Sequence, residues 1–329
     1  LSRNSWRIIL EKSALRKPME RQLTELPGAV RFCKTCVNSN QRPRIVFDES
    51  GVCSACNYAK YKREGIDWSV REAELRDLCD RHRRRDGWWD VLVPGSGGKD
   101  SAYVAHLLKH EYSMNPLCVT WAPCQYTNIG RANFDAFVDA GFLTIAGYGN
   151  GRVHRKLARL AFEEVGDNFL PFTWGQHSFV YHMALRYEIP LVFFGELAEA
   201  EYGGDPKFND RPNVPFDQWA RTYWKGTTVD DLMRYGLEYK DYISESDFTE
   251  ADLIFYRPPE LGSINDDQLA VHWMSYYKYW IPQENYYYAT EHTGFKANPE
   301  RSEGTYSKYA SLDDKLDGLH YYLMLIKFG

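Results

Sequence analysis

Apolar residues in the middle of this chain fall into short runs, each followed by a stretch with helical apolar spacing. Val91 to Val93 is such a run and stops at Pro94-Gly95; from Ala102 to Leu108 the spacing turns helical. Leu117 to Trp121 reads as a second strand, Asn128 to Ala140 as a helix, Phe142 to Ala146 as a short third strand and Arg152 to Val165 as a helix. Phe179 to Tyr187 is again helical, and Ile189 to Phe194 is an apolar fourth strand ending at Gly195. This alternation predicts an α/β fold, an open parallel sheet with helices on both faces. Ligands of such sheets sit at the carboxyl ends of the strands, near the point where strand order reverses. The segment after Val93 and the pair Gly195-Glu196 stand at two such ends.

Outside that block the pattern changes. Residues 1–30 read as an extension: either Leu1 to Pro18 is foreign and Met19 starts the natural chain, or Trp6, Ile9 and Leu10 mark one face of a helix. Residues 31–60 form a cysteine-bearing module, and 61–87 read as a linker helix. Ile66 to Arg85 is highly charged, with Leu75 and Leu78 as a narrow stripe, so the helix is expected to be exposed. Its end, Arg81 to Arg85, is a solvated terminus or a contact for phosphate or nucleic acid. Residues 88–204 form the α/β domain. Beyond it, 205–215 reads as loop, Phe216 to Tyr239 as a helix with Trp219, Tyr223 and Trp224, Ile264 to Tyr279 as another helix, and Pro282 to Tyr288 as an aromatic turn. Residues 205–329 thus make a helical, aromatic-rich region that completes the domain. Its last apolar run, Leu319 to Ile326, stops in mid-pattern, which predicts that the natural chain continues or that the segment docks on something.

Composition narrows the class. Forty basic against forty-five acidic residues give a net charge of −5, which disfavours a nucleic-acid partner. No apolar run approaches the ~18 residues of a membrane span, and the N-terminus lacks a signal-peptide core. Seven cysteines, four of them in two CxxC pairs, suit a reducing compartment and a cytoplasmic protein. The 24 Tyr, 17 Phe and 10 Trp are densest in the C-terminal third, where they serve packing or a sugar ring's apolar face.

Cys33 and Cys36 are followed after sixteen residues by Cys53 and Cys56, the spacing of a tetrathiolate zinc site. Ile45 to Phe47 is expected to form a strand between the knuckles, with Asp48 to Gly51 a turn into the second. Four protein ligands leave no open position, so the metal is structural; an iron–sulfur cluster would use the same ligands.

The segment Gly95-Ser96-Gly97-Gly98-Lys99-Asp100-Ser101 breaks a strand into a glycine-rich loop that opens a helix. Such a loop cradles phosphate: glycines let backbone N–H groups approach, the helix terminus adds partial positive charge and Lys99 a full one. It lacks the spacing of a Walker A loop and of the dinucleotide fingerprint. SGGKDS resembles the PP-loop of the ATP pyrophosphatases, which implies a PP-loop, HUP-like Rossmannoid fold and cleavage of ATP between its α- and β-phosphates. After the fourth strand, Glu196, Glu199 and Glu201 are placed to hold Mg²⁺ through oxygen ligands or to decorate a surface loop. This stretch resembles the acidic loop of the asparagine synthetase domain, with Glu199 in the place of its metal-binding aspartate.

Taken together, CKTCVN and RPRIVFDESGVCSAC (33–56), VPGSGGKDS (93–101), RVHRKLARLAFEEVGDNFLPF (152–172), PLVFFGELAEAEYGG (190–204) and EGTYSKYASLDDKLDGLHYYLMLIKFG (303–329) resemble the N-acetyl sugar amidotransferases. These enzymes make acetamidino sugars for lipopolysaccharide O-antigen and pseudaminic acid derivatives. The resemblance implies that the acetamide oxygen of a UDP-linked N-acetyl sugar attacks the α-phosphate of ATP, and that ammonia then displaces AMP. Gly95, Ser96, Gly97, Gly98 and Ser101 would cradle pyrophosphate, with Gly195 and Glu196 also on the nucleotide side. Lys99 would neutralise charge in the transition state. Asp100 and Glu199 would share Mg²⁺, though Asp100 can equally cap the helix. His154, Arg155, Gln176, His177, Glu201 and Tyr202 are candidates to touch substrate, or in the case of His154 and Arg155 a helix surface. The chain carries no glutaminase signature, so the resemblance implies a separate glutaminase subunit, with a cyclase-like companion conducting ammonia. The rival is a PP-loop tRNA sulfurtransferase with an N-terminal zinc module, which needs a reactive cysteine near ATP; Cys124, with Cys118 inside the second strand, is the candidate.

Overall fold

A computed structural model describes residues 27–213, 225–260, 268–302 and 304–328. The extension before residue 27, the aromatics Trp219, Tyr223 and Trp224, and residues 264–267 lie outside the described residues. Five parallel strands form one sheet: β1 (Val91–Pro94), β2 (Pro116–Trp121), β3 (Thr144–Gly147), β4 (Leu191–Phe194) and β5 (Ala270–Trp273), in the order β3-β2-β1-β4-β5. The order reverses between β1 and β4, where Leu92 pairs with Val192. The α/β expectation holds, and the reversal falls between the two strand ends singled out above.

Alternate residues of each strand enter different cores, as the two-residue period requires. Leu92, Val119 and Val192 pack with the helices of one face, α5 (Gly151–Val165), α6 (Leu170–Arg186) and α8 (Val229–Tyr239). Val91, Val93, Cys118 and Phe193 face the other, under α2 (Trp68–His82), α3 (Lys99–His110), α4 (Asn128–Asp139) and α11 (Pro282–Thr293). Short helices α7 (Ala198–Glu201), α9 (Glu250–Leu253) and α10 (Met274–Tyr277), helix α1 (Ser54–Glu64) and the final α12 (Asp317–Phe328) complete the described set.

Four expectations change. Ala270 to Trp273, expected within a helix, is an edge strand: its burial alternates, and it pairs with β4 from Leu191–Ala270 to Phe194–Trp273. Four residues cannot reveal their period without a partner strand. Pro282 to Tyr288, expected as a turn, opens α11; Pro282 is preset for the first helical turn, and Gly294 at φ 68° ends it. Within Ile45 to Phe47 only Phe47 forms a bridge, to Cys53, so this stretch makes no strand. Finally, α2 is no free linker, since Leu75, Leu78 and Cys79 are buried in the second core. Its basic end folds back on the protein: Arg83 reaches the Tyr112 carbonyl at 2.8 Å, and Arg84 pairs with Asp86 at 2.5 Å.

Candidate functional site

Gly95, at the end of β1, donates to the Val119 carbonyl at 2.9 Å, so the loop leaves the sheet beside β2. Gly97 sits at φ +82°, and a Cβ there would lie 2.5 Å from the Phe134 Cα of α4. Only glycine satisfies both the left-handed backbone and that approach. Ser96 Oγ accepts from Gly98 N at 3.2 Å, and Ser101 Oγ donates to the Gly98 carbonyl at 3.0 Å, folding the loop over the start of α3. Lys99 is buried, bonds the Asp100 carboxylate and lies 5.5 Å from the Tyr309 ring centroid. Asn285 of α11 donates to Asp100 Oδ1 at 3.1 Å.

This loop lines a cleft of about 790 Å³, together with Gly195, Glu196, Gln176, His177 and Tyr202. Four carboxylates line it: Asp100, Glu196, Asp313 and Asp317. Burial, then the charge of Asp100, pushes the Glu196 carboxyl up to about 7, and Tyr202 donates to Glu196 Oε1 at 3.3 Å. Burial likewise lifts Asp313 to about 6, beside the Ser96 hydroxyl, and Asp317 to about 7, with Asp313 and Asp314 adding repulsion. Acids crowded in this way favour a cation among them.

Asp313 and Asp317 were not among the expected site residues. Their segment crosses back over the sheet's carboxyl end: Thr127 N donates to the Asp313 carbonyl at 3.0 Å, Lys315 N to Gln125 at 3.0 Å, and Asp314 accepts from Cys124 N at 2.9 Å. The repeated acids of Leu312-Asp313-Asp314-Lys315-Leu316-Asp317 were the available signal, but nothing local says that they meet a loop at the other end of the domain.

Glu199, expected beside Asp100 on Mg²⁺, is turned elsewhere. Its buried carboxylate is gripped by Arg44, with Nε to Oε1 at 2.9 Å and Nη2 to Oε1 at 2.6 Å, and it accepts from Asp205 N at 2.9 Å. Glu201, expected on substrate, pairs with Lys62 at 2.6 Å, both side chains buried. The two glutamates instead fasten the cysteine module to the sheet. Around them Lys62 reaches the Trp280 carbonyl at 3.0 Å, and Ser54 Oγ the Gly204 carbonyl at 3.3 Å. His154 is also outside the cleft: buried, 3.0 Å from the Tyr256 hydroxyl and lowered to about 4 by burial, it is a neutral packing group. Arg155 is exposed on α5, away from the cleft lining. Gln176 and His177 do reach it from α6; burial holds His177 at about 3, so it enters uncharged.

The four cysteines gather as their spacing predicts, with all ligand atoms within 4.8 Å of one another. Cys36 and Cys53 sulfurs are 3.5 Å apart, Cys33 and Cys56 sulfurs 3.9 Å. Thiolates bound at ~2.3 Å to one tetrahedral ion stand ~3.8 Å apart, so the donors are positioned for a single metal ion and are compatible with zinc. A polynuclear cluster inserted among them would spread the sulfurs further. Burial pushes the Cys33 thiol up, but backbone N–H groups of Cys36, Cys53 and Thr35 outweigh it and bring the thiol down to about 6, whereas burial pushes the Cys53 and Cys56 thiols up. Among the described residues no other trio of His, Cys, Asp or Glu is gathered so tightly. No helix among them is long and apolar enough to cross a membrane.

No known family profile matches the chain. An uncharacterized protein of Methanocaldococcus jannaschii is 27% identical over 89 residues, a match that spans 26% of this chain and 31% of that protein.

Proposed function

We propose that the protein is an ATP-dependent, AMP- and pyrophosphate-forming amidotransferase acting on the N-acetyl group of a nucleotide-linked sugar, as its motifs resemble. One observation carries the reading: the SGGKDS loop sits at the order reversal of the sheet, with Lys99 and four carboxylates around one cleft. The amide backbone of Gly95 to Gly98 with Ser96 and Ser101 holds pyrophosphate as it leaves, and Lys99 exchanges Asp100 for the developing charge. The acetamide oxygen attacks the α-phosphate and pyrophosphate departs; ammonia then adds to the activated carbon and AMP leaves, giving the acetamidine. Mg²⁺ supplies charge neutralisation to the phosphates. Asp100 and Glu196 would hold it, with Asp313 and Asp317 lining the same cleft, and phosphate and water would complete its ligands. The single ion of the cysteine quartet is assigned as structural Zn²⁺.

A second groove of about 920 Å³ joins the cleft at Phe295 and Tyr309 and is lined by Tyr286, Tyr306, Gln283 and Asn298. Aromatic faces beside amide donors suit the acceptor sugar. Ammonia comes from a separate glutaminase subunit, with a cyclase-like companion, in the cytoplasm. We assign their docking to the outer face of α12, where Leu325 and Ile326 are more than 60% exposed. The sulfurtransferase alternative loses support. Cys124 is exposed but does not line the cleft, and Cys118 is fully buried inside β2, so neither cysteine lines the cleft that would hold ATP.

The test measures AMP release with free ammonia and a UDP-linked N-acetyl sugar, against tRNA with a sulfur donor. Turnover with the sugar is expected. Turnover only with tRNA, or total loss of activity in Cys124→Ala, would overturn the assignment.

A further inference from the structure

Two arginines flank Pro43 in the segment between the cysteine pairs, and they have different neighbours. Arg44 is consumed by Glu199. Arg42 lines the same cleft as the SGGKDS loop and Glu196, has Tyr202 among the groups that act on it, and is exposed. The acid that acts most strongly on it is Glu199, whose oxygens already take three hydrogen bonds from Arg44. Among the described residues the Arg42 guanidinium makes no hydrogen bond and no ion pair. Its backbone, by contrast, is held: Arg42 N donates to Ser39 at 3.3 Å and its carbonyl accepts from Ile45 at 3.4 Å, within the loop that the cysteine quartet closes.

We propose that Arg42 completes an anion site at the seam between the cysteine module and the sheet, and that it takes phosphate oxygens of a nucleotide bound in the cleft. The inference rests on the nucleotide reading of that cleft. Charge selects the ligand. Lys99 is already paired with Asp100, and the remaining floor is acidic, so a bare carboxylate ligand would be repelled. A magnesium-bound polyphosphate brings the cation that those acids lack, while its outer oxygens match the planar fork of an arginine. The module then has a role in the cleft: its metal closes the loop that carries Arg42, and Arg44–Glu199 and Lys62–Glu201 set that loop against the sheet. The phosphate belongs either to ATP or to the diphosphate of the nucleotide-linked acceptor.

Calorimetric titration of the whole chain with Mg·ATP, inorganic pyrophosphate and UDP-N-acetylglucosamine, for wild type, Arg42→Ala and Arg42→Lys, decides the matter. Arg42→Ala is expected to weaken at least one probe by about tenfold or more, with Arg42→Lys recovering part of it, since a point charge replaces a fork. Melting temperature and bound metal should stay at wild-type values. Loss confined to ATP and pyrophosphate assigns the site to ATP; loss confined to the UDP-sugar assigns it to the acceptor. Wild type that binds Mg·ATP while Arg42→Ala binds every probe within about twofold overturns this inference alone and leaves the nucleotide reading standing. Wild type that binds none of the three overturns both. Chelator-stripped wild type that keeps full affinity removes the metal from the proposal.

Discussion

Glu196, Glu199 and Glu201 lie on one short stretch and meet opposite fates. Glu199 and Glu201 are neutralised by Arg44 and Lys62, and the four side chains join the cysteine module to the sheet. Among the described residues Glu196 makes no ion pair with the module; it faces Asp100, and its carboxyl is pushed up to about 7 by burial and that neighbour. The comparison separates fastening from function. A buried acid with its own cation is complete, whereas acids that crowd one another are left for a ligand to complete.

The largest effect expected is on activity. Lys99→Ala should cut AMP formation by about a hundredfold or more while the melting temperature stays near wild type, since its partner Asp100 keeps Asn285. Next, Glu201→Ala leaves the Lys62 ammonium buried without its carboxylate, and should cost about 3 kcal/mol in denaturant unfolding, with activity per folded molecule retained. Glu196→Gln should do the reverse: stability held or raised, Mg·ATP affinity down about tenfold by titration. If Glu196→Gln destabilises and Glu201→Ala does not, the contrast between the two glutamates is wrong.

A smaller effect follows from pH. Glu196 and Asp317 titrate near 7 and Asp313 near 6 in the folded chain, above the ordinary carboxylate range of an unfolded one. Between those limits the folded state keeps protons that the unfolded state has lost, so this contribution to stability falls as pH rises from about 4 to 7 and then levels off. The unfolding free energy of Glu196→Gln, measured across that window, should decline less steeply than that of wild type, while wild-type Mg·ATP affinity should climb as the carboxyls ionise. An equal slope would remove Glu196 from the cluster. Smallest of all, Arg155→Ala, on an exposed helix face, should change stability by less than about 0.5 kcal/mol and leave turnover unaltered, as a melt and an AMP assay would show.

Local patterns announced most of the scaffold. The strands β1 to β4, most of the helices between them and the quartet Cys33, Cys36, Cys53 and Cys56 were legible because short-range spacing alone sets them, although α6 begins nine residues earlier than its expected start at Phe179. The edge strand β5 was not, because its alternation has meaning only against β4. Nor was α11, whose tyrosines look like a turn until Tyr288 is seen packed on Tyr103, 5.1 Å between centroids, and Tyr286 stacked on Tyr309 at 4.8 Å. Of the cleft lining, Gly95, Ser96, Gly98 to Ser101 and Glu196 were readable from their places at strand ends.

What the sequence determined by itself is therefore the glycine-rich loop at the end of β1, the metal-type quartet and the layered fold that carries them, since each depends on residues close together in the chain. Which acids line the cleft was decided only by tertiary structure. The contact between residues 312–315 and 124–127 brings Asp313 and Asp317 to the loop, and the docked module draws Glu199 and Glu201 away from it. A carboxylate's role depends on the net charge within a few ångströms, and that sum includes partners from both ends of the chain that no local pattern records.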